Sequence, residues 1–129
     1  MEDSDHSAVP SSAETKNAED RAASRQEACQ VTLIYTTFPS KSEAKKAGRA
    51  LIESGMAACV NIFPKMTSIY IWEGEVQESR EAAMLVKTAS HRGTEVLAEI
   101  KRLHPYSLPA RLALAVEGGG ADFLEWITR

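Results

Sequence analysis

The sequence predicts an α+β sandwich, and three observations carry that prediction. From about residue 31 onward, strand-like and helix-like runs follow one another. Two of the strand-like runs are long and adjacent, as in a hairpin. No other segment is apolar enough to make a second core. The chain has 129 residues. A domain of roughly 100 residues buries most of its apolar surface without disulfides.

Val31-Thr32-Leu33-Ile34-Tyr35-Thr36-Thr37 is dense in β-branched and aromatic residues and reads as the first strand, ended by Pro39. Ser40-Lys41-Ser42-Glu43 has the form of a capping box, so a helix follows. Its apolar stripe is Ala44, Ala47, Leu51 and Ile52, and Gly55 supplies the left-handed stop. The β-rich runs Ala57–Phe63 and Thr67–Trp72 flank Pro64, which cannot donate to a ladder and so marks a bulge or edge in one long, bent strand. Glu73-Gly74-Glu75 reads as the turn, and Val76–Ala89 returns as a strand whose inner run, Ala82–Val86, is apolar on both faces and therefore central.

Ser90 is expected to cap a second helix with a core stripe of Val96, Leu97, Ile100 and Leu103, ended at His104-Pro105. Leu112, Leu114 and Val116 alternate with Ala113 and Ala115 in a last strand. Gly118-Gly119-Gly120 leads to a short helix carrying Phe123, Trp126 and Ile127. The order is that of a ferredoxin-like βαββαβ sandwich with a long projecting hairpin and a short C-terminal helix. Strands average about five or six residues, and each hairpin arm is predicted to be about twice that. Its exposed edges call for pairing with another subunit.

Residues 1–28 hold seven acidic and three basic residues, no aromatic, and Val9 as the only branched apolar residue. They read as a disordered acidic tail, and residues 29–129 as the domain. The net charge is -3, with -4 in the tail and +1 in the rest of the chain. The domain is close to neutral and lacks the basic footprint of a nucleic-acid binder. The strand order is shared with RNA-recognition motifs, but Ala82–Thr88 has none of the aromatics that stack bases. Cys29 and Cys59 form neither a disulfide framework nor a paired zinc spacing, which points to a reducing compartment. Neither a signal peptide nor a membrane span is visible, so a cytoplasmic location is expected.

Four motifs in order, Ala57–Ile62, Ser68–Gly74, Lys87-Thr88 and His104-Pro105-Tyr106 with Pro109 after it, resemble the signature of the CutA divalent-cation tolerance family. Phe123-Leu124-Glu125-Trp126 is similar to its closing helix. The resemblance spans roughly residues 31 to 127. It implies a homotrimer of ferredoxin-like subunits, similar in architecture to PII signalling proteins, acting in divalent-cation and particularly copper tolerance. Two positions depart from the family pattern: Ser107 and Ala110 stand where the family has acidic residues.

Cys59 and His104 are the candidate soft ligands for copper or another divalent ion. Cys59 reads more readily as a small core residue than as a ligand, and His104 equally as a helix-end cap. Of the two, His104 is expected to be the accessible one. Tyr70, Trp72, Lys87 and Tyr106, with His104, are expected to form a ligand pocket or the trimer contact. Lys87 follows an apolar strand and needs an anionic partner if partly buried. A thiolate–base pair of Cys59 and His104 lacks an orienting third group, so binding and not catalysis is expected. The alternatives to metal binding are a PII-like trimer that takes a small anionic ligand between subunits and a structural trimer that anchors a partner.

Overall fold

The structure, a computed structural model, describes residues 30–129. The predicted acidic tail and Cys29 lie outside the described residues. β1 (Val31–Phe38) leads to α1 (Lys41–Glu53), β2 (Cys59–Trp72), β3 (Glu75–Ala89), a 3-10 turn (Ser90–Arg92), α2 (Gly93–Leu103), β4 (Arg111–Ala115) and α3 (Ala121–Thr128). The strands form one antiparallel sheet in the order β2-β3-β1-β4. The ferredoxin-like order expected from the sequence is therefore realised, with the apolar β3 in the interior of the sheet.

α1 begins and ends where its sequence signals stand. Ser40 Oγ accepts from the Glu43 amide at 3.2 Å. At the other end Gly55 sits at φ 77°, its N–H donating to Ile52 and that of Met56 to Leu51. That pair of bonds satisfies carbonyls the helix leaves open. The buried stripe differs from the expected one. Ile52 is 40% exposed, and Gly48 takes the inner position with Ala44, Ala47 and Leu51. A Cβ on Gly48 would lie 2.9 Å from Val60 Cγ2, so the missing side chain is what lets α1 approach β2 and β3 this closely.

α2 starts differently from the prediction. Ser90 opens the 3-10 turn and provides no side-chain cap; its Oγ lies 2.9 Å from Thr32 Oγ1, which ties the turn to β1. Val96 and Ile100 are fully buried, with Leu97 and Leu103 packed at their flanks. α1 and α2 cover one face of the sheet, burying Ile34, Phe38, Ala82, Met84 and Val86. Val31, an odd number of residues from Ile34, points to the opposite face, where Leu124 and Ile127 of α3 cover it. Trp126 of the predicted α3 stripe is 38% exposed, and Leu124 holds the inner position instead.

The hairpin arms run to 14 and 15 residues. Their register shifts between Phe63 and Met66, where Pro64 and Lys65 together oppose Ala82. The extra residue reverses the parity of the strand. Cys59, Asn61 and Phe63 before the bulge, and Met66, Tyr70 and Trp72 after it, therefore share the face opposite the two long helices. Without Pro64-Lys65 the tip aromatics would point the other way. The arms join through Glu73 and Gly74, at φ 51° and 80°, a two-residue turn whose twist matches that of the strands.

Candidate binding cleft

Alternation along the hairpin brings Tyr70, Trp72, Gln77 and Glu81 to one face, since Tyr70 pairs with Gln77, Trp72 with Glu75, and Met66 with Glu81. The segment after α2 wraps round the end of β1 to meet them. Together with Thr37, Pro105, Tyr106 and Ala110 they enclose a cleft of about 600 Å³. Ser107, one of the two departures from the family pattern, lines it as well, as does Ala110, the other.

His104 holds the wrapping segment in place. Its ring is buried and stacks on Phe38, centroids 4.4 Å apart and planes at 16°. Nδ1 accepts the Tyr106 amide at 3.1 Å, and Nε2 lies 2.5 Å from the Thr37 carbonyl oxygen. The neutral tautomer with its proton on Nε2 satisfies both bonds. The Tyr106 phenol then donates to Glu81 Oε2 at 3.1 Å. Burial pushes that phenol up to about 12, reinforced by the hydrogen bond to Glu81, by Glu81's charge and by Tyr70. Glu81 is 9% exposed. Among the described residues the structure gives it that one hydrogen bond and no ion pair.

The structure separates residues that the sequence grouped. Tyr70, Trp72 and Tyr106 meet in the cleft, but Lys87 does not join them. It lies six residues from Glu81 on the same strand, roughly 20 Å away, and its Nζ sits 5.3 Å from the centre of the Phe123 ring of α3. Among the described residues its partner is thus an aromatic face and not an anion. Cys59 pairs with Lys87 at that far end, whereas Phe38, on which His104 stacks, pairs with Ala82. Five residues of strand, roughly 17 Å, separate those two places.

Cys59 and His104 accordingly form no common site within a chain, and no cluster of three or more His, Cys, Asp or Glu side chains suited to a metal occurs among the described residues. The expected accessibilities are also reversed: His104 is buried with both ring nitrogens engaged, whereas Cys59 is half-buried, its thiol in no disulfide and donating only a long contact of 3.9 Å to the Val60 carbonyl oxygen. The described residues of one chain do not fit a resident metal centre. No described helix is long and apolar enough to cross a membrane.

Comparison with known proteins agrees with the fold at every level. Residues 32–129 match the family model of the CutA1 divalent ion tolerance protein. The divalent-cation tolerance protein CutA of Thermus thermophilus is 42% identical over 95 residues, 74% of this chain and 92% of that protein. The solved structure of the periplasmic divalent cation tolerance protein CutA from Archaeoglobus fulgidus superposes with a TM-score of 0.73 at 42% identity, covering 75% of this chain and 94% of that one. The crystal structure of CutA1 from Oryza sativa gives 0.75 at 34% identity over 80% and 97% of the two chains. The chain belongs to the CutA1 divalent ion tolerance family.

Proposed function

We propose that this chain assembles as a homotrimer that serves divalent-cation tolerance by binding and not by catalysis, in the cytoplasm, with copper as the metal to test first. The observation that carries the assembly is the hairpin tip. Ile69, Ile71 and Val76 are 68%, 72% and 72% exposed in the single chain, and Leu112 and Leu114 are exposed on the edge strand β4. Soluble chains seldom leave so many large apolar side chains uncovered together. A closed ring in which each hairpin pairs with a neighbour's sheet covers those side chains and the bare edges at once. The relatives' names supply the cation-tolerance role.

Copper favours thiolate and imidazole donors. In this reading Cys59 is the donor it meets, since His104 must break two hydrogen bonds to offer a nitrogen. A site built on the Cys59 thiol alone is weak beside the roughly 10–16 kcal/mol of four-ligand zinc centres. A cytoplasmic setting keeps that thiol reduced. Cys59 and His104 are too far apart to act as nucleophile and base, which supports binding without turnover.

Light scattering should give three times the 14.1 kDa chain mass; a monomer at micromolar concentration overturns the assembly. Copper calorimetry should lose its heat in Cys59→Ser and keep it in His104→Ala. The opposite pattern would transfer the metal role to His104.

A further inference from the structure

Three features of the cleft narrow what it can hold. Tyr70, Trp72 and Tyr106 supply aromatic surface from the hairpin and from the wrapping segment. Glu81 supplies one carboxylate, nearly buried, with a phenol hydrogen bond on one oxygen and no cationic partner among the described residues. Among the described residues no Lys, Arg or His lines the cleft, so it offers no cationic side chain to an anion. A carboxylate so placed gains from a positive charge brought to it.

A divalent metal is poorly served here. Among the described residues Glu81 is the only acid in the lining, Ser107 and Ala110 contribute no charge, and hard cations take six or more oxygen ligands. A weakly hydrated organic cation has different needs. It loses little on leaving water, and the faces of Tyr and Trp attract it electrostatically. About 600 Å³ lies within the range of small-molecule sites.

We infer that the cleft is a receptor for a small organic cation, an alkylammonium or guanidinium group seated against Tyr70, Trp72 and Tyr106 with its charge on Glu81. The inference deepens the binding role proposed above and rests on it, in that the ligand is held and not converted. The Tyr106 phenol, pushed up to about 12, stays protonated across the physiological range and keeps Glu81 aimed into the cleft. The cation has two possible sources: a free small molecule, to which the proposal commits, or a Lys or Arg side chain of a second copy.

The test is calorimetric titration of the full-length protein with choline, with agmatine, with the uncharged tert-butyl analogue of choline and with inorganic pyrophosphate, the mass being followed by light scattering on the same samples. Choline or agmatine should bind, and the uncharged analogue about tenfold or more weakly. Pyrophosphate should give no heat. Glu81→Gln should lose about tenfold or more for the cations while keeping the native melting profile. Gln77→Lys, which carries its own ammonium to the cleft without touching Glu81, should abolish binding even if Glu81→Gln folds poorly.

Equal binding of the uncharged analogue, unchanged affinity in Glu81→Gln, or preference for pyrophosphate overturns the inference. So does a wild type that binds neither cation while Glu81→Gln changes its mass, because the occupant is then a second copy. Cation binding by a protein of monomeric mass refutes the trimer and leaves the cleft assignment standing. A trimer that binds no cation does the reverse.

Discussion

The hairpin of β2 and β3 is one continuous piece of sheet with two unlike ends. At its root, Ala82, Met84 and Val86 are each 0% exposed beneath α1 and α2. At its tip, Ile71 and Val76, directly opposite each other, are each 72% exposed. Backbone pairing and β-propensity are alike at both ends, so neither decides the burial. The helices decide it, and the hairpin residues they bury reach no further than Ala82, which Pro64-Lys65 oppose. The chain folds around its root and holds its tip ready for something else. The cleft, built from Glu81 at the boundary and Tyr70 and Trp72 beyond it, belongs to both regions.

Matched substitutions at the two ends give the largest effect. Phe38 is fully buried and stacks on His104. Phe38→Ala should cost about 3–5 kcal/mol, the usual range for a core Phe, and should loosen the wrapping segment with it. Ile71→Asp should leave the far-UV spectrum of the fold unchanged, because no core contact is lost within the chain. It should lower the mass measured by light scattering and make the melting temperature more dependent on concentration. An Ile71→Asp protein of unaltered mass would mean that the tip is not the subunit contact.

The root can be sharpened further at Gly48. A Cβ there meets Val60 Cγ2 at 2.9 Å and Met84 Sδ at 3.2 Å. Val60 is β-branched and cannot rotate away freely. Overpacking costs roughly 1–3 kcal/mol, against roughly 1 kcal/mol of helix propensity gained over Gly. Gly48→Ala should therefore lose about 1 kcal/mol net, measured by denaturant unfolding. Val60→Ala in the same chain should make Gly48→Ala neutral or favourable, a coupling expected of residues in contact. A stabilised Gly48→Ala single variant would show that α1 can move outward and that its close approach is not required.

The root was more legible than the tip. Capping residues, Gly55 and the period of each element act locally, so the strand and helix order could be read directly. Gly48 was missed because a residue without a side chain leaves no mark in an apolar pattern, and its role appears only when the neighbouring strand is present. The cleft was half legible. Tyr70, Trp72 and Tyr106 stood out as aromatics with polar handles, but Lys87 was grouped with them because sequence motifs do not say at which end of a strand a residue lies. Glu81 was overlooked, being an acid beside the apolar run Ala82–Val86. The available signal was alternation: Glu81 shares its face with Ala83 and Leu85, and a charge on a half-covered face needs a partner. His104 looked accessible from its place before Pro105, and only the return of the chain past Phe38 buries it.

The smallest effect tests the boundary between the two regions through the Tyr106 phenol. Its folded-state value of about 12 lies above the roughly 10 of an unfolded tyrosine. The fold therefore favours the protonated phenol. Its contribution to stability is fully present below about pH 10, and is lost as pH rises from there toward about 12. The groups that face it are Glu81 on β3, Tyr70 on β2 and the His104 ring, whose centre lies 4.9 Å away. Phenolate absorbance of wild type minus Tyr106→Phe should titrate near 12, with the other two of the three tyrosines cancelling. Glu81→Gln separates the causes. Burial is the largest of them, so removing the carboxylate should lower the phenol only part of the way toward its ordinary value. A full return would make Glu81's charge the whole cause and the cleft wetter than its lining implies. No change would mean that the phenol and Glu81 do not meet, and the aim of that carboxylate into the cleft would have to come from elsewhere.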